Sequence, residues 1–76
     1  MYVGIDLASA PLNTRLTLVE APQSCRQRLA SLGLRVGSRF SLLSRTAGGG
    51  RVAMVSGSRI ALGATLLKDL RAEISA

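Results

Sequence analysis

The fold of this chain is decided by residues 24–45, which read SCRQRLASLGLRVGSRFSLLSR. The first part of this stretch has the spacing of a helix, and two glycines, Gly33 and Gly37, then lead into a different pattern. From Gly37 onward apolar and polar residues alternate, which predicts a strand with Phe40 and Leu42 on its inner face. A short helix that passes directly into a strand is therefore expected at the centre of the chain.

The helical part contains neither a β-branched residue nor an internal glycine. Its apolar residues Cys25, Leu29 and Leu32 are spaced at i, i+4 and i+7, so that one helical face is apolar. Ser24 is expected to cap the N-terminus through its hydroxyl, and Gly33 stands where a left-handed residue commonly follows the last turn. The pattern predicts a helix of about two and a half turns that buries one face.

Upstream of the helix, residues 14–21 alternate, with Leu16 and Leu18 on one side, and predict a first strand. Pro22 is expected to end that strand. Residues 1–13 show no sustained period, and we expect them to form an arm that covers one edge of the core.

Downstream, further short elements separated by glycines are expected. They are a glycine loop at 47–50, a third strand at 51–56, a fourth strand at 59–62, a helical turn at 64–70 and a fifth strand at 70–75. In the third strand, Val52 and Met54 are expected to face the core, which would leave Arg51 and Val55 on the outside. This order predicts a mainly β fold: a small SH3-like barrel of about five strands with one short α-helix and a C-terminal helical turn.

The charge distribution points to an acidic partner. Ten Lys and Arg residues stand against four Asp and Glu residues, which gives a net charge of +6. The four acids are Asp6, Glu20, Asp69 and Glu73, so that residues 21–68 contain eight cations and no carboxylate. Such a stretch has no internal ion pairs, and its arginines must face water or the negative charge of a partner.

The same composition excludes several classes of function. The chain has no His and one Cys, Cys25, and its few carboxylates are scattered, so neither an acid–base pair nor a Cys–His nucleophile is expected. No metal site and no cofactor are expected either, because the usual ligands are too few.

Cys25 is expected to be a buried structural thiol, and a single cysteine predicts the cytoplasm as compartment. With only Tyr2 and Phe40 as aromatic residues, base-stacking recognition of single-stranded RNA is not expected.

Arginines on neighbouring predicted strands carry the functional hypothesis. A face that merely confers solubility normally mixes both charges, whereas this one contains no acid between Glu20 and Asp69. Apolar residues of the same outward phase, flanked by arginine, would complete a docking surface. The predicted partner-binding residues are Arg26, Arg28, Arg39, Leu43, Arg45, Arg51, Val55 and Arg59.

Two segments resemble a known family. RQRLASLGLRVGSRFSLL at 26–43 and AGGGRVAMVSGSRIAL at 47–62 are similar to the FeoA family, small cytosolic partner proteins of bacterial ferrous iron uptake. The most specific part is Arg28-Leu29, then Leu32-Gly33-Leu34, then Gly37, and the likeness extends over residues 14–74.

The resemblance implies a single SH3-like domain over residues 1–76, with an arm at 1–13 and a barrel at 14–74. It further implies a non-enzymatic cytoplasmic accessory of ferrous iron transport. Its partner would be the membrane ferrous iron transporter, contacted at the cytoplasmic G-protein domain, so that the chain would be membrane-associated only through that partner.

Other readings stay open at this point. The same type of domain occurs as the C-terminal module of metal-dependent repressors, so a basic nucleic-acid-binding or repressor-associated module is the alternative. No sequence-specific nucleic acid is expected as partner, because the chain has neither a long recognition helix nor aromatic surface. A GTPase activator would need an arginine inserted into the partner's nucleotide site. Homo-oligomerisation, with or without a metal ion bridging two copies, is left undecided by the sequence.

Overall fold

A computed structural model describes residues 4–75 of the chain, and in that range it contains six β-strands and two α-helices. The elements in chain order are β1 (Ile5–Asp6), β2 (Arg15–Glu20), α1 (Gln23–Ser31), β3 (Arg39–Arg45), β4 (Arg51–Val55), β5 (Ser58–Leu62), α2 (Ala64–Leu67) and β6 (Arg71–Ile74), with a 3-10 turn at Ala47–Gly49 between β3 and β4. The strands form one antiparallel sheet in the order β1-β6-β2-β3-β4-β5. The predicted mainly β, SH3-like fold is confirmed.

The first strand, β1, is the element that the sequence pattern missed. Ile5 pairs with Ala72 and Asp6 with Arg71, which adds the arm to the edge of the sheet. Two residues are too short to show alternation, so no periodic signal marks them. Residues 1–3 of the predicted arm lie outside the described residues.

The arm is held at its next residue as well. Leu7 is fully buried, and its main-chain N–H donates to the carbonyls of Leu67, at 3.2 Å, and Leu70, at 3.1 Å. Because Leu67 and Leu70 are themselves fully buried, the arm closes the core over the connection between α2 and β6. The arm therefore belongs to the barrel and is not an appendage to it.

Helix α1 confirms the predicted element but corrects its ends. Its N-cap is Pro22, in an extended conformation and with no side-chain cap, so the prediction that Ser24 caps the helix is wrong. The fixed φ of proline suits the entry to a helix and places the start one residue before Ser24. Gly33 is left-handed, with φ +92°, as predicted. Leu29 is buried, whereas Leu32, at the C-cap, is 42% exposed and does not share its environment.

The phase of β4 is opposite to the predicted one. Arg51, Ala53 and Val55 are buried, and Val52 and Met54 are half-buried on the outer side. Both faces of this strand carry apolar side chains, so alternation alone does not distinguish them. Packing against α1 decides which face of β4 is buried. A methyl group of Val55 lies against Gly33 at the end of α1, 3.7 Å from the position that a Cβ would take on that glycine.

No helix in residues 4–75 is long and apolar enough to cross a membrane.

Candidate partner-binding surface

A row of four residues crosses the outer face of the sheet. Arg15 in β2 is opposite Ser41 in β3, Ser41 is opposite Met54 in β4, and Met54 is opposite Arg59 in β5. Residues opposite one another in adjacent strands project to the same face, so the four side chains form one line. Both arginines are exposed, and the serine and methionine between them are half-buried. Three strand spacings separate the arginine Cα atoms, about 14 Å measured along the sheet.

A third arginine joins this row. Arg39 lies two residues before Ser41 on the same face of β3 and is exposed. Arg15, Arg39, Phe40, Ser41 and Met54 line a shallow groove of about 250 Å³. We call this feature, together with Arg59 at the end of the row, the cationic groove.

Acidic residues lie to one side of the cationic groove. Across β2, Thr17 is opposite Arg39 on one side and Glu73 on the other, so the nearest acid in this row is two strands from Arg39. None of the side-chain hydrogen bonds made by arginine in residues 4–75 has a carboxylate as acceptor. The guanidinium groups of the cationic groove are thus exposed to solvent and open to an acidic partner.

The predicted partner-binding residues lie in several separate parts of the structure. Arg39 and Arg59 belong to the cationic groove. Leu43 is half-buried at the register shift between Leu42 and Ser44, and Arg45 is exposed at the end of β3. Arg26 and Arg28 are exposed on α1, where Arg28 lies in the last turn and complements the helix dipole.

Two of the predicted residues were placed wrongly. Val55 is 2% exposed and Arg51 is 8% exposed, so neither offers a side chain to a partner. The reason is the reversed phase of β4, which sends both side chains to the inner face. Arg51 avoids the cost of an unpaired buried cation by donating from Nη1 to the carbonyls of Gly49 and Gly50 and from Nη2 to that of Ala8.

Sequence reasoning missed four residues of the cationic groove, namely Arg15, Ser41, Met54 and Phe40, the last of which is buried on the inner face as expected and still lines the groove. Arg15 was recognisable as the outward neighbour of Leu16, but only the pairing of β2 with β3 brings it next to Arg39. Met54 was assigned to the core together with Val52, because Arg51, Ala53 and Val55 were expected on the outer face. The strand register was the missing information.

The groups available for metal binding and for carboxylate binding differ in number among the described residues. Within residues 4–75, no group of three or more His, Cys, Asp or Glu side chains is placed to hold a metal ion. Cys25 is half-buried rather than buried, and its Sγ contacts the carbonyl of Pro22 at 3.6 Å. The cationic groove can hold carboxylates against guanidinium groups, with Met54 as an apolar contact between them.

Known proteins share sequence features and the fold of this chain. The family model of the FeoA domain matches residues 5–74, a range that includes β1. The solution structure of a FeoA-like protein from Clostridium acetobutylicum has a TM-score of 0.81 at 16% identity, covering 100% of this chain and 92% of that one. The crystal structure of an iron uptake regulatory protein, FeoA, has a TM-score of 0.80 at 24% identity, covering 95% and 97%.

A larger protein contains a similar domain. The crystal structure of ScaR with bound Zn2+ has a TM-score of 0.79 at 20% identity, covering 93% of this chain but 37% of that one. Comparison with curated protein sequences gives no significant match.

Proposed function

Since this chain belongs to the FeoA family, we propose that it is a non-enzymatic cytoplasmic accessory of ferrous iron transport that docks on the GTP-binding, cytoplasmic part of the membrane iron transporter. Ferrous iron is the cargo of that transporter, and the chain itself supplies no ligand cluster for it within residues 4–75. Its contribution is contact with the transporter, made through the cationic groove.

The observation that carries this proposal is the row from Arg15 to Arg59. Two exposed guanidinium groups flank Ser41 and Met54, which are half-buried and present a hydroxyl and an apolar surface between the charges. Protein interfaces combine charge complementarity at the rim with apolar contact at the centre, and this row has that arrangement. An acidic segment of the transporter lying across the strands fits it.

Charge reversal tests the proposal. Arg39→Glu should abolish complementation in a strain that lacks this protein and depends on ferrous iron uptake, and should prevent co-purification with the transporter. Lys68→Glu is the matched control, because Lys68 is exposed and lies outside the cationic groove. Circular dichroism should show both variants folded. A folded Arg39→Glu variant that complements and co-purifies like the parent would contradict the proposal.

A second candidate function is a basic nucleic-acid-binding or repressor-associated module. It is favoured by the likeness of fold to ScaR and by the net charge of +6. Against it, the two helices in residues 4–75 have nine and four residues, so this part of the chain presents no long helix to a groove of DNA.

The two functions differ in their dependence on salt. Phosphate contacts make the affinity for duplex DNA fall with a log–log slope of about −0.9 per phosphate neutralised. We expect only weak, sequence-independent binding that disappears near physiological salt. Sequence-selective binding with a nanomolar Kd at that ionic strength would favour the second candidate.

A further inference from the structure

A second groove lies on the other side of the strand β2, between α1 and the segment that follows it. It has a volume of about 310 Å³ and is lined mainly by apolar side chains. We call it the helix groove and define it by Leu18, Leu29, Ala30, Val36, Arg26 and Arg35. None of these residues belongs to the cationic groove.

One wall of the helix groove is an exposed apolar side chain, which few of the described residues are. Val36 is 51% exposed and forms one wall, and Leu32, close by in the chain, is 42% exposed. Within residues 4–75 only one other large hydrophobic residue, Ile74, is exposed to a similar degree. An exposed apolar side chain such as Val36 in the wall of a mainly apolar concave surface indicates an interaction site, whereas one that stands alone on the surface does not.

The charged side chains of the helix groove indicate an acidic partner. Arg26 and Arg35 are both exposed and both line the helix groove, and its lining contains no carboxylate. The Nε of Arg26 donates to the carbonyl of Ala21 at 2.9 Å, which holds that guanidinium at the groove. A guanidinium held in place loses less side-chain entropy when it meets a carboxylate.

We infer that the helix groove receives a large apolar side chain of the transporter's cytoplasmic part, with an Asp or Glu beside it in the sequence that pairs with Arg26 or Arg35. This inference rests on the proposed function, because it names a further contact with the same partner. The volume is at the lower end of that of ligand pockets, which suits one or two anchoring side chains better than a whole cofactor.

A second copy of this chain is the competing occupant. Its exposed Ile74 lies next to the exposed Glu73 and would offer the same chemistry. However, insertion of Ile74 of one copy into the helix groove of the next is a head-to-tail contact, which leaves a free groove and a free Ile74 at the two ends. Such contacts propagate into open chains of copies unless the rotation closes a ring, and for that reason we assign the groove to the transporter.

The direct test is a peptide titration followed by two-dimensional NMR of the full chain. The probe is the acetylated, amidated peptide Glu-Glu-Leu-Leu-Glu, and two control peptides carry Ser for both leucines or Lys for all glutamates. Amide resonances of Ala30, Leu34 and Val36 should shift with the first peptide and at least fivefold less with either control. Absence of these shifts, or equal shifts with the serine peptide, would overturn the inference.

A bulky side chain placed inside or outside the helix groove gives a matched pair of variants for the peptide titration. Ala30→Phe should weaken peptide binding at least fivefold, whereas Gln27→Phe, on the same helix but outside the lining, should leave it unchanged. Val36→Glu, at an exposed position, should also abolish binding and guards against a fold defect in Ala30→Phe. Concentration-dependent shifts of Ile74 together with the groove amides, without peptide, would show a second copy as the occupant and overturn the inference.

The same variants separate this inference from the proposed function. Ala30→Phe should reduce co-purification with the transporter, and Gln27→Phe should not. If Ala30→Phe co-purifies and complements like the parent while Arg39→Glu does neither, the helix groove inference fails and the proposed function stands. If the parent chain itself does not co-purify with the transporter, the proposed function fails, whatever the peptide does.

Discussion

The Nη2 of Arg51 donates a hydrogen bond of 3.0 Å to the main-chain carbonyl of Ala8, 43 residues earlier in the chain. Its Nη1 donates to the carbonyls of Gly49 and Gly50, both at 2.9 Å. One buried guanidinium thus joins the arm to the glycine loop before β4. Three carbonyls, and no carboxylate among the described residues, accept hydrogen bonds from this guanidinium, and its Nε is buried without a partner.

The first prediction follows from these bonds. Arg51→Met should lower the free energy of unfolding by about 2 kcal/mol or more, because each hydrogen bond to a charged group contributes about 1.5–3 kcal/mol and three carbonyls lose their donor. Urea denaturation measures the change. Arg59→Met is the control, since Arg59 is exposed and its replacement should change stability by no more than about 0.5 kcal/mol. Equal denaturation midpoints for the two variants would show that the three bonds do not stabilise the fold.

The second prediction concerns the glycine loop. A Cβ on Gly50 would stand 2.6 Å from Oγ1 of Thr46 and 2.7 Å from the carbonyl oxygen of Leu62. Gly50→Ala should therefore cost about 1–3 kcal/mol through overpacking. Gly48→Ala meets no atom within 4 Å, but φ is +83° there, and the strain should cost about 1 kcal/mol.

A double variant identifies the cause of the Gly50 effect. Thr46→Ala removes one of the two close contacts and leaves the main-chain oxygen of Leu62 in place. The pair Thr46→Ala with Gly50→Ala should thus recover only part of the lost stability in thermal melts. Full recovery would mean that the hydroxyl alone opposes a side chain at this position.

The third prediction separates two leucines with helical spacing, Leu29 inside α1 and Leu32 at its C-cap. Leu29 is 1% exposed, and Leu29→Ala should cost about 2–5 kcal/mol, as truncation of a buried leucine does. Leu32 is 42% exposed, and Leu32→Ala should cost no more than about 1 kcal/mol. Thermal melts of the two variants give the comparison, and a Leu32→Ala variant as unstable as Leu29→Ala would place Leu32 in the core.

The fourth prediction concerns iron. The chain has no imidazole and one thiol, and within residues 4–75 its carboxylates do not gather with that thiol, so anaerobic calorimetry with ferrous ion should show no stoichiometric binding. Cys25→Ser serves as control for weak thiol binding. A one-to-one event that persists in Cys25→Ser would reveal a carboxylate site formed between copies.

Much of the architecture could be predicted because it depends on local spacing. Leu16 and Leu18 in β2, and Phe40 and Leu42 in β3, alternate with polar residues, and all four are buried as the alternation predicts. Gly33 ends α1 in a left-handed conformation that glycine adopts at little cost. Each of these features is decided within a few residues of chain, where side-chain period and backbone freedom act.

The candidate site was predicted only in part, since strand register lies outside the reach of local patterns. The outward position of Arg39 and Arg59 followed from alternation, but the row that joins Arg15 to Arg59 exists because three strand pairs align them. The register shift between Leu42 and Ser44 changes which residues of β3 oppose those of β4. A shift of one residue moves a side chain to the other face, so a strand with apolar residues on both faces can satisfy the sequence pattern in two ways.

The amino-acid sequence by itself determined the order of the elements from β2 onward, the buried faces of β2 and β3 and the excess of arginine over acid in the middle of the chain. The tertiary structure decided which arginine side chains are buried and which are exposed. Arg51 and Arg59 stand in adjacent strands and both precede an apolar residue, yet one is buried and the other exposed. The difference arises because carbonyls of Gly49, Gly50 and Ala8 converge on Arg51, and a buried cation is tolerated only where such acceptors, brought together by the fold, replace the water it has lost.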